Sequence, residues 1–172
     1  MENIDVSVEG ENIKKLDEII DKQIELHEEL KNLLGQKREY IQNREIDKLE
    51  MLVSKEEKVI LDINEAENER EKLIAEIANS MNIDKGVRAI ELCEKLPQPH
   101  SINLMMKFVR LMELINDIAI LNMGIKNMLE FENTYIELTM RLLSGNLKRD
   151  ILYTNNGKHR EDTPSSLLDG RV

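Results

Sequence analysis

Three histidines, one cysteine and seven glycines are the residues of this 172-residue chain whose types could do chemistry, and their spacing decides which chemistry is open. His27, His100 and His159 are each without a glutamate three positions earlier, so the Glu-x-x-His pairs of helical di-iron bundles are missing. No HExxH occurs, and the glycines lie too far apart to assemble a GxGxxG turn or a P-loop. Cys93 is the only cysteine, which excludes an internal disulfide and any zinc site built on cysteines. With no His or CxxC partner nearby, it reads as a small hydrophobe in a reducing compartment. The carboxylates Glu65, Glu67, Glu69 and Glu71 are interrupted by Arg70 and Lys72, as on a solvated helix face. A dianionic substrate would need converging cations, but Lys107, Arg110, Lys126 and Arg141 are scattered. The sequence therefore predicts a binding protein that is not an enzyme and uses no metal or cofactor.

The elements that would position a binding surface follow from periodicity. From Glu11 to about Gln42, Ile13, Leu16, Ile19, Ile20, Ile24, Leu26, Leu30, Leu33 and Leu34 mostly recur at three- and four-residue steps. That spacing lays an apolar stripe on one helix face. His27 falls on this stripe, where a packed or hydrogen-bonded imidazole is expected. Asp47 and Glu50 resemble a capping box, opening a second helix over about 48–80 with the stripe Leu49, Leu52, Val53, Val59, Ile60, Ile63, Ala66, Leu73, Ile74 and Ile77. At about 1.5 Å per residue this helix is on the order of 50 Å long and matches the first, so the two predict an antiparallel hairpin.

A short helix over 84–95, capped by Asp84, ends at Pro97 and Pro99, because proline lacks a donor and restricts its predecessor. Ser101 is then placed to cap a third long helix over about 102–143, apolar on much of its circumference and expected to be central. Its apolar residues include Leu104, Phe108, Leu111, Ile115, Ile118, Leu121, Ile125, Leu129, Phe131, Ile136 and Leu142. Met105, Met106, Met112, Met123, Met128 and Met140 either fill core or form an adaptable partner surface. Asn103, Asn116, Asn122, Asn127 and Asn133 either bond partner backbone or face solvent.

The fold class is thus all-α: an elongated antiparallel long-helix bundle, a coiled-coil-like hairpin plus a third long helix. It spans 1–145 and carries a flexible tail over 146–172. Ser144-Gly145-Asn146 is a helix stop, after which isolated apolar residues Leu147, Ile151, Leu152, Tyr153, Leu167 and Leu168 punctuate polar sequence. Such a segment buries too little by itself but can order on a partner. The net charge of -10 repels phosphate backbones and anionic lipid, which disfavours nucleic acid and membrane partners. That charge is carried by the first two helices: residues 11–80 hold 19 acids against 12 bases, and residues 81–145 hold 8 against 7. The N-terminal residues lack a basic leader and apolar run, and no stretch of about 18 uncharged apolar residues occurs, which predicts a cytoplasmic protein without membrane insertion.

Tyr153, Asn156-Gly157 and Ser165-Ser166-Leu167-Leu168-Asp169, together with the Glu67-x-x-Arg70-x-x-Leu73 run in the second helix, give a resemblance over nearly the whole chain. The chain resembles the FlgN-type flagellar type III export chaperones, long helical hairpins ending in a Tyr-Gly-x-x-Gly type motif and a Ser/Leu-Asp stretch. Thr154 stands here where that motif has its first Gly. The resemblance implies a chaperone that holds hook-filament junction proteins export-competent and delivers them to the flagellar export gate. It implies partner-binding roles for Leu147, Ile151, Leu152, Tyr153, Gly157, Leu167 and Leu168, with Tyr153 docking to the gate. A monomer or weak dimer is expected. The alternative is a structural coiled-coil scaffold with no dedicated client.

Overall fold

The computed structural model describes residues 2–83 and 88–144, with side chains from Gly10 onward. Its elements are α1 (Glu2–Asn43), α2 (Ile46–Ser80), α3 (Ala89–Lys95) and α4 (His100–Leu143), with no strand among the described residues. The chain divides into two compact units, Met1–Asn127 and Met128–Val172.

In the first unit, α1 buries Ile13, Leu16, Ile20, Gln23, His27, Leu30 and Leu34, a strict alternation of three- and four-residue steps. Gly35 has open space about its Cα, so packing rather than local propensity carries the helix across it. α1 ends in a Schellman motif: Arg44 adopts a left-handed φ of 58°, and Glu45 N–H reaches back to the Tyr40 carbonyl at 2.9 Å. α2 ends the same way on Asn82 (φ 52°), with Ile83 N–H on the Ala78 carbonyl at 2.8 Å. Asparagine tolerates this conformation because its side chain bonds locally; arginine does so at a cost of about 1 kcal/mol.

The hairpin is antiparallel, as the matching lengths predict, and Lys37 bonds Glu56 across it at 2.8 Å. The capping box does not form. α2 begins at Ile46, its N-cap Glu45 makes no side-chain cap bond, and Asp47 lies inside the first turn. The Glu45 carboxylate instead pairs with Lys48 at 3.0 Å, and Asp47 is left to act on the helix dipole.

α3 begins at Ala89 behind an extended Arg88, later than the predicted start, and the expected cap Asp84 lies outside the described residues. Leu92, Cys93 and Leu96 plug one end of the core. α4 begins earlier than Ser101 predicts. Ser101 N–H bonds the Pro97 carbonyl and Asn103 N–H the Pro99 carbonyl, both at 3.3 Å, so Ser101 is helical and the proline segment supplies the first acceptors.

Within the first unit α4 runs parallel to α1. Asn103 bonds Asp17, Lys107 bonds Asp21 and Lys31 bonds Asp117, each pair 86 residues apart. Arg110 adds Glu28 at 2.9 Å. A constant offset over about four turns is possible only if the two helices advance together. α4 buries Leu104, Phe108, Leu111, Leu114, Ile118 and Ile125, half-buries Met105, Leu121 and Met128, and exposes most of its remaining apolar side chains. It is therefore not central. Leu114, not Ile115, takes the core position, because a helix apolar on most sides has no phase of its own and its neighbours choose one.

Two clusters form the core. One joins Ile13 to Ile20 of α1 with Ala66 and Ile77 of α2, α3, and Leu104 and Phe108 of α4. The other joins Leu30 to Leu34, Leu52 to Ile63, and Ile118 and Ile125. In the second unit, residues 128–143 continue as helix, with Leu129, Phe131, Tyr135, Ile136, Leu138, Met140, Leu142 and Leu143 exposed.

Three outcomes check this packing. Leu104→Ala should lower the urea-unfolding free energy by about 3 kcal/mol through a core cavity, while Met106→Ala, on the opposite face, should change it by under about 0.5 kcal/mol. Burial opposes the charge of Lys107, but its bonds to Asp17 and Asp21 outweigh that and hold its pKa above the ordinary 10.5. The stability it contributes is present below the ordinary value and lost as pH rises through the higher folded value. Lys107→Met should cost on the order of 1 kcal/mol at neutral pH and shallow the alkaline limb of the stability profile. Burial also pushes the Cys93 thiol up to about 11, so a maleimide should label it slowly in native protein and readily in urea.

Candidate functional site

The tail residues implicated by sequence, Leu147, Ile151, Leu152, Tyr153, Gly157, Leu167 and Leu168, lie outside the described residues. The described surface instead concentrates binding potential on α4. In the first unit, Ile102, Met106, Val109, Ile120 and Met123 project from the side of α4 opposite its buried stripe, with Met112 and Ile115 beside them. Scattered exposed leucines are ordinary, but seven large apolar side chains on one helix of an otherwise charged unit are not. Of the six α4 methionines, Met106, Met112, Met123 and Met140 are exposed and Met105 packs against the core edge, which decides most of them for surface. All five α4 asparagines are exposed, and Asn103 is spent on Asp17. Lys107 and Asp117 pair with α1, Arg110 pairs with Glu28 of α1 and with Glu113 of its own helix, and Glu113 is exposed within this row of apolar side chains. An amphipathic helix could bury its apolar stripe on this surface through anchors at i, i+3, i+4 and i+7.

A second feature lies between the two core clusters. Gln23 and His27 occupy consecutive core positions of α1, one helical turn apart, and are the only buried polar residues among those described. His27 is packed and hydrogen-bonded, as its place on the stripe predicts: Nδ1 lies 2.6 Å from the Gln23 carbonyl, which assigns the ring proton to Nδ1 and has it donate. The register fixed by Lys37 and Glu56 sets Gln23 opposite Arg70 of α2. Arg70 donates through Nη2 to Glu67 at 2.7 Å and stacks on Phe108 of α4, 5.9 Å from the ring centroid.

These residues line a half-open cavity of about 270 Å³, walled by Phe108 and Leu111 and lipped by Ile90, Met112 and Ile115. Of these residues, Gln23 Oε1 and Arg70 Nε are buried out of reach of solvent and have no hydrogen-bond partner among the described residues. Sequence reasoning put Glu67 and Arg70 on a plain solvated face and gave Gln23 no role. The available signal was the spacing itself, since Gln23 continues the steps of Leu16 and Ile20, and Arg70 those of Ile63 and Ala66.

Nothing in this arrangement resembles a catalytic constellation. Among the described residues no three metal-ligating side chains converge, and no described helix is long and apolar enough to cross a membrane. What the described surface offers is a row of exposed apolar side chains on one helix.

No curated protein and no solved structure matches the chain. The family model described as FlgN protein matches residues 1–161, which takes in all four helices and the Tyr153 to Gly157 part of the tail. The chain belongs to the FlgN family of flagellar export chaperones.

Proposed function

We propose that this chain is the cytoplasmic export chaperone of the flagellar hook-filament junction proteins. It holds an apolar amphipathic helix of the client on the exposed face of α4, keeps it from self-association, and delivers it to the flagellar export gate. The observation that carries the reading is the row Ile102, Met106, Val109, Ile120 and Met123, exposed on α4 with Glu113 as the charge among them. Methionine suits a surface that must take more than one sequence, because its unbranched thioether repacks at little cost. Delivery requires release, so moderate affinity serves better than tight binding. No cofactor is needed for capture or release by this route.

The tail completes the proposal. Leu147, Ile151, Leu152, Leu167 and Leu168 add apolar contacts to the client as the segment orders on it. Tyr153, with Gly157 in the adjoining turn, docks to the gate. The chain acts as a monomer or weak dimer.

The test is calorimetric titration of a purified hook-filament junction protein into the full chain. Met106→Glu with Ile120→Glu should weaken binding by about a hundredfold and leave helicity intact, since burying two charges on an apolar interface costs several kcal/mol. Removing residues 146–172 should weaken it less, and Tyr153→Ala should leave client affinity unchanged while impairing export. Unchanged affinity in the double variant would sink the α4 site. A large permanent homo-oligomer that takes no client would favour the scaffold instead.

A further inference from the structure

The second unit carries an apolar stripe of its own. Met128, Phe131, Tyr135, Leu138 and Leu142 follow one another at strict three- and four-residue steps, and Leu129, Ile136 and Leu143 lie beside them at seven-residue steps. Such a seam belongs to a helix that packs against another segment. Yet all of these side chains except Met128 are between 44 and 80 % exposed. Glu130, Thr134, Glu137 and Arg141 take the opposite side of the helix, and Glu132, half-buried, is the one charge within the stripe. A contiguous apolar patch of this kind marks a surface that something covers.

The cover has to bring apolar side chains and positive charge, since residues 128–143 hold Glu130, Glu132 and Glu137 against Arg141 alone. A second copy would set two acidic stripes against each other. The chain's own continuation has the required composition. Residues 146–172 hold five bases, Lys148, Arg149, Lys158, Arg160 and Arg171, against four acids, while the rest of the chain holds 19 bases against 30 acids. Leu147, Ile151 and Leu152 lie in the same part. It also starts where the stripe ends. Ser144 closes the helix, its N–H on the Met140 carbonyl at 2.9 Å and its hydroxyl on the Arg141 carbonyl at 3.2 Å, and Gly145 follows, the residue type that reverses a chain at least cost. The three residues Ser144 to Asn146 are an ordinary length for a connection between antiparallel neighbours. Reach is sufficient: the stripe is about 24 Å long at 1.5 Å per residue, and residues 147–153 span about 23 Å when extended.

We propose that in the client-free chain residues 147–153 fold back across the Ser144–Asn146 turn and cover this stripe, with Leu147, Ile151 and Leu152 set on Phe131, Tyr135, Leu138 and Leu142. A segment held by so short a connection is present at about millimolar effective concentration, so a contact with a free Kd of about 0.1 mM is closed about ten to one. The cover keeps an apolar helix end from meeting other copies. It also holds the residues that the chaperone reading assigns to the client, which are exchanged from stripe to client on capture; only this last consequence rests on that reading.

Hydrogen exchange of the full chain without client tests the cover. The amides of residues 147–153 should exchange about tenfold more slowly than coil rates, and equally so at low and high protein concentration. Phe131→Ser with Leu138→Ser should return them to coil rates while α1 and α2 keep their protection. Coil rates in the unaltered chain overturn the proposal. So does protection that grows with protein concentration, which assigns the stripe to a second copy, and so does protection that survives in the double variant. If the double variant loses its helix, Ile151→Ser with Leu152→Ser breaks the same contact from the other side, with the same outcomes expected. No junction protein is present, so a chain that binds none in the calorimetric titration sinks the chaperone reading and leaves this result standing.

Discussion

Everything in the first unit follows from α4 lying parallel to α1 at a constant offset of 86 residues. Lys107 is held between Asp17 and Asp21, and Lys31 and Arg110 reach Asp117 and Glu28 further along. Individually, exposed pairs of this kind contribute little. Together they choose a phase for a helix that is apolar almost all round, and the choice decides which residues meet the hairpin and which are left outside. Leu104, Phe108, Leu111 and Leu114 go in, and Met106, Val109 and Met112 stay out. The exposed apolar face of α4 is therefore a consequence of where the charges of α1 lie.

The net charge takes on a role beyond solubility in this arrangement. Asp17, Asp21 and Glu28 of α1 pair with Lys107 and Arg110 of α4 and draw those two cations toward the hairpin. An acidic hairpin with a nearly neutral third helix is what a protein needs if it is to bind apolar polypeptide while repelling its own copies.

Much of the architecture was legible in sequence. The stripes of α1 and α2 set the helices and their matching lengths the antiparallel hairpin, while the register came only with the Lys37–Glu56 pair. His27 read correctly from its place on the stripe. The phase of α4 was not legible: with apolar residues on most sides, Ile115 and Leu114 are equally good core candidates until α1 supplies its carboxylates. The caps were misread locally, since Asp47 and Ser101 have the right chemistry but the backbone turns two or more residues earlier, at the left-handed Arg44 and at the proline segment. Gln23 and Arg70 were missed because polar side chains at core positions look like breaks in a stripe rather than members of it. The partner-binding residues drawn from family resemblance, Leu147 to Leu168, rest on that resemblance.

The account stands on the exposed face of α4 being the surface that meets the client. Methionine methyl groups report on that face directly: Met106, Met112 and Met123 lie on it, and Met105 packs against the core edge as an internal control. With methyl-labelled methionine in the full chain, adding a purified hook-filament junction protein should shift or broaden the three exposed methyls and leave Met105 nearly still. A complex that forms with Met106, Met112 and Met123 unmoved would contradict the account.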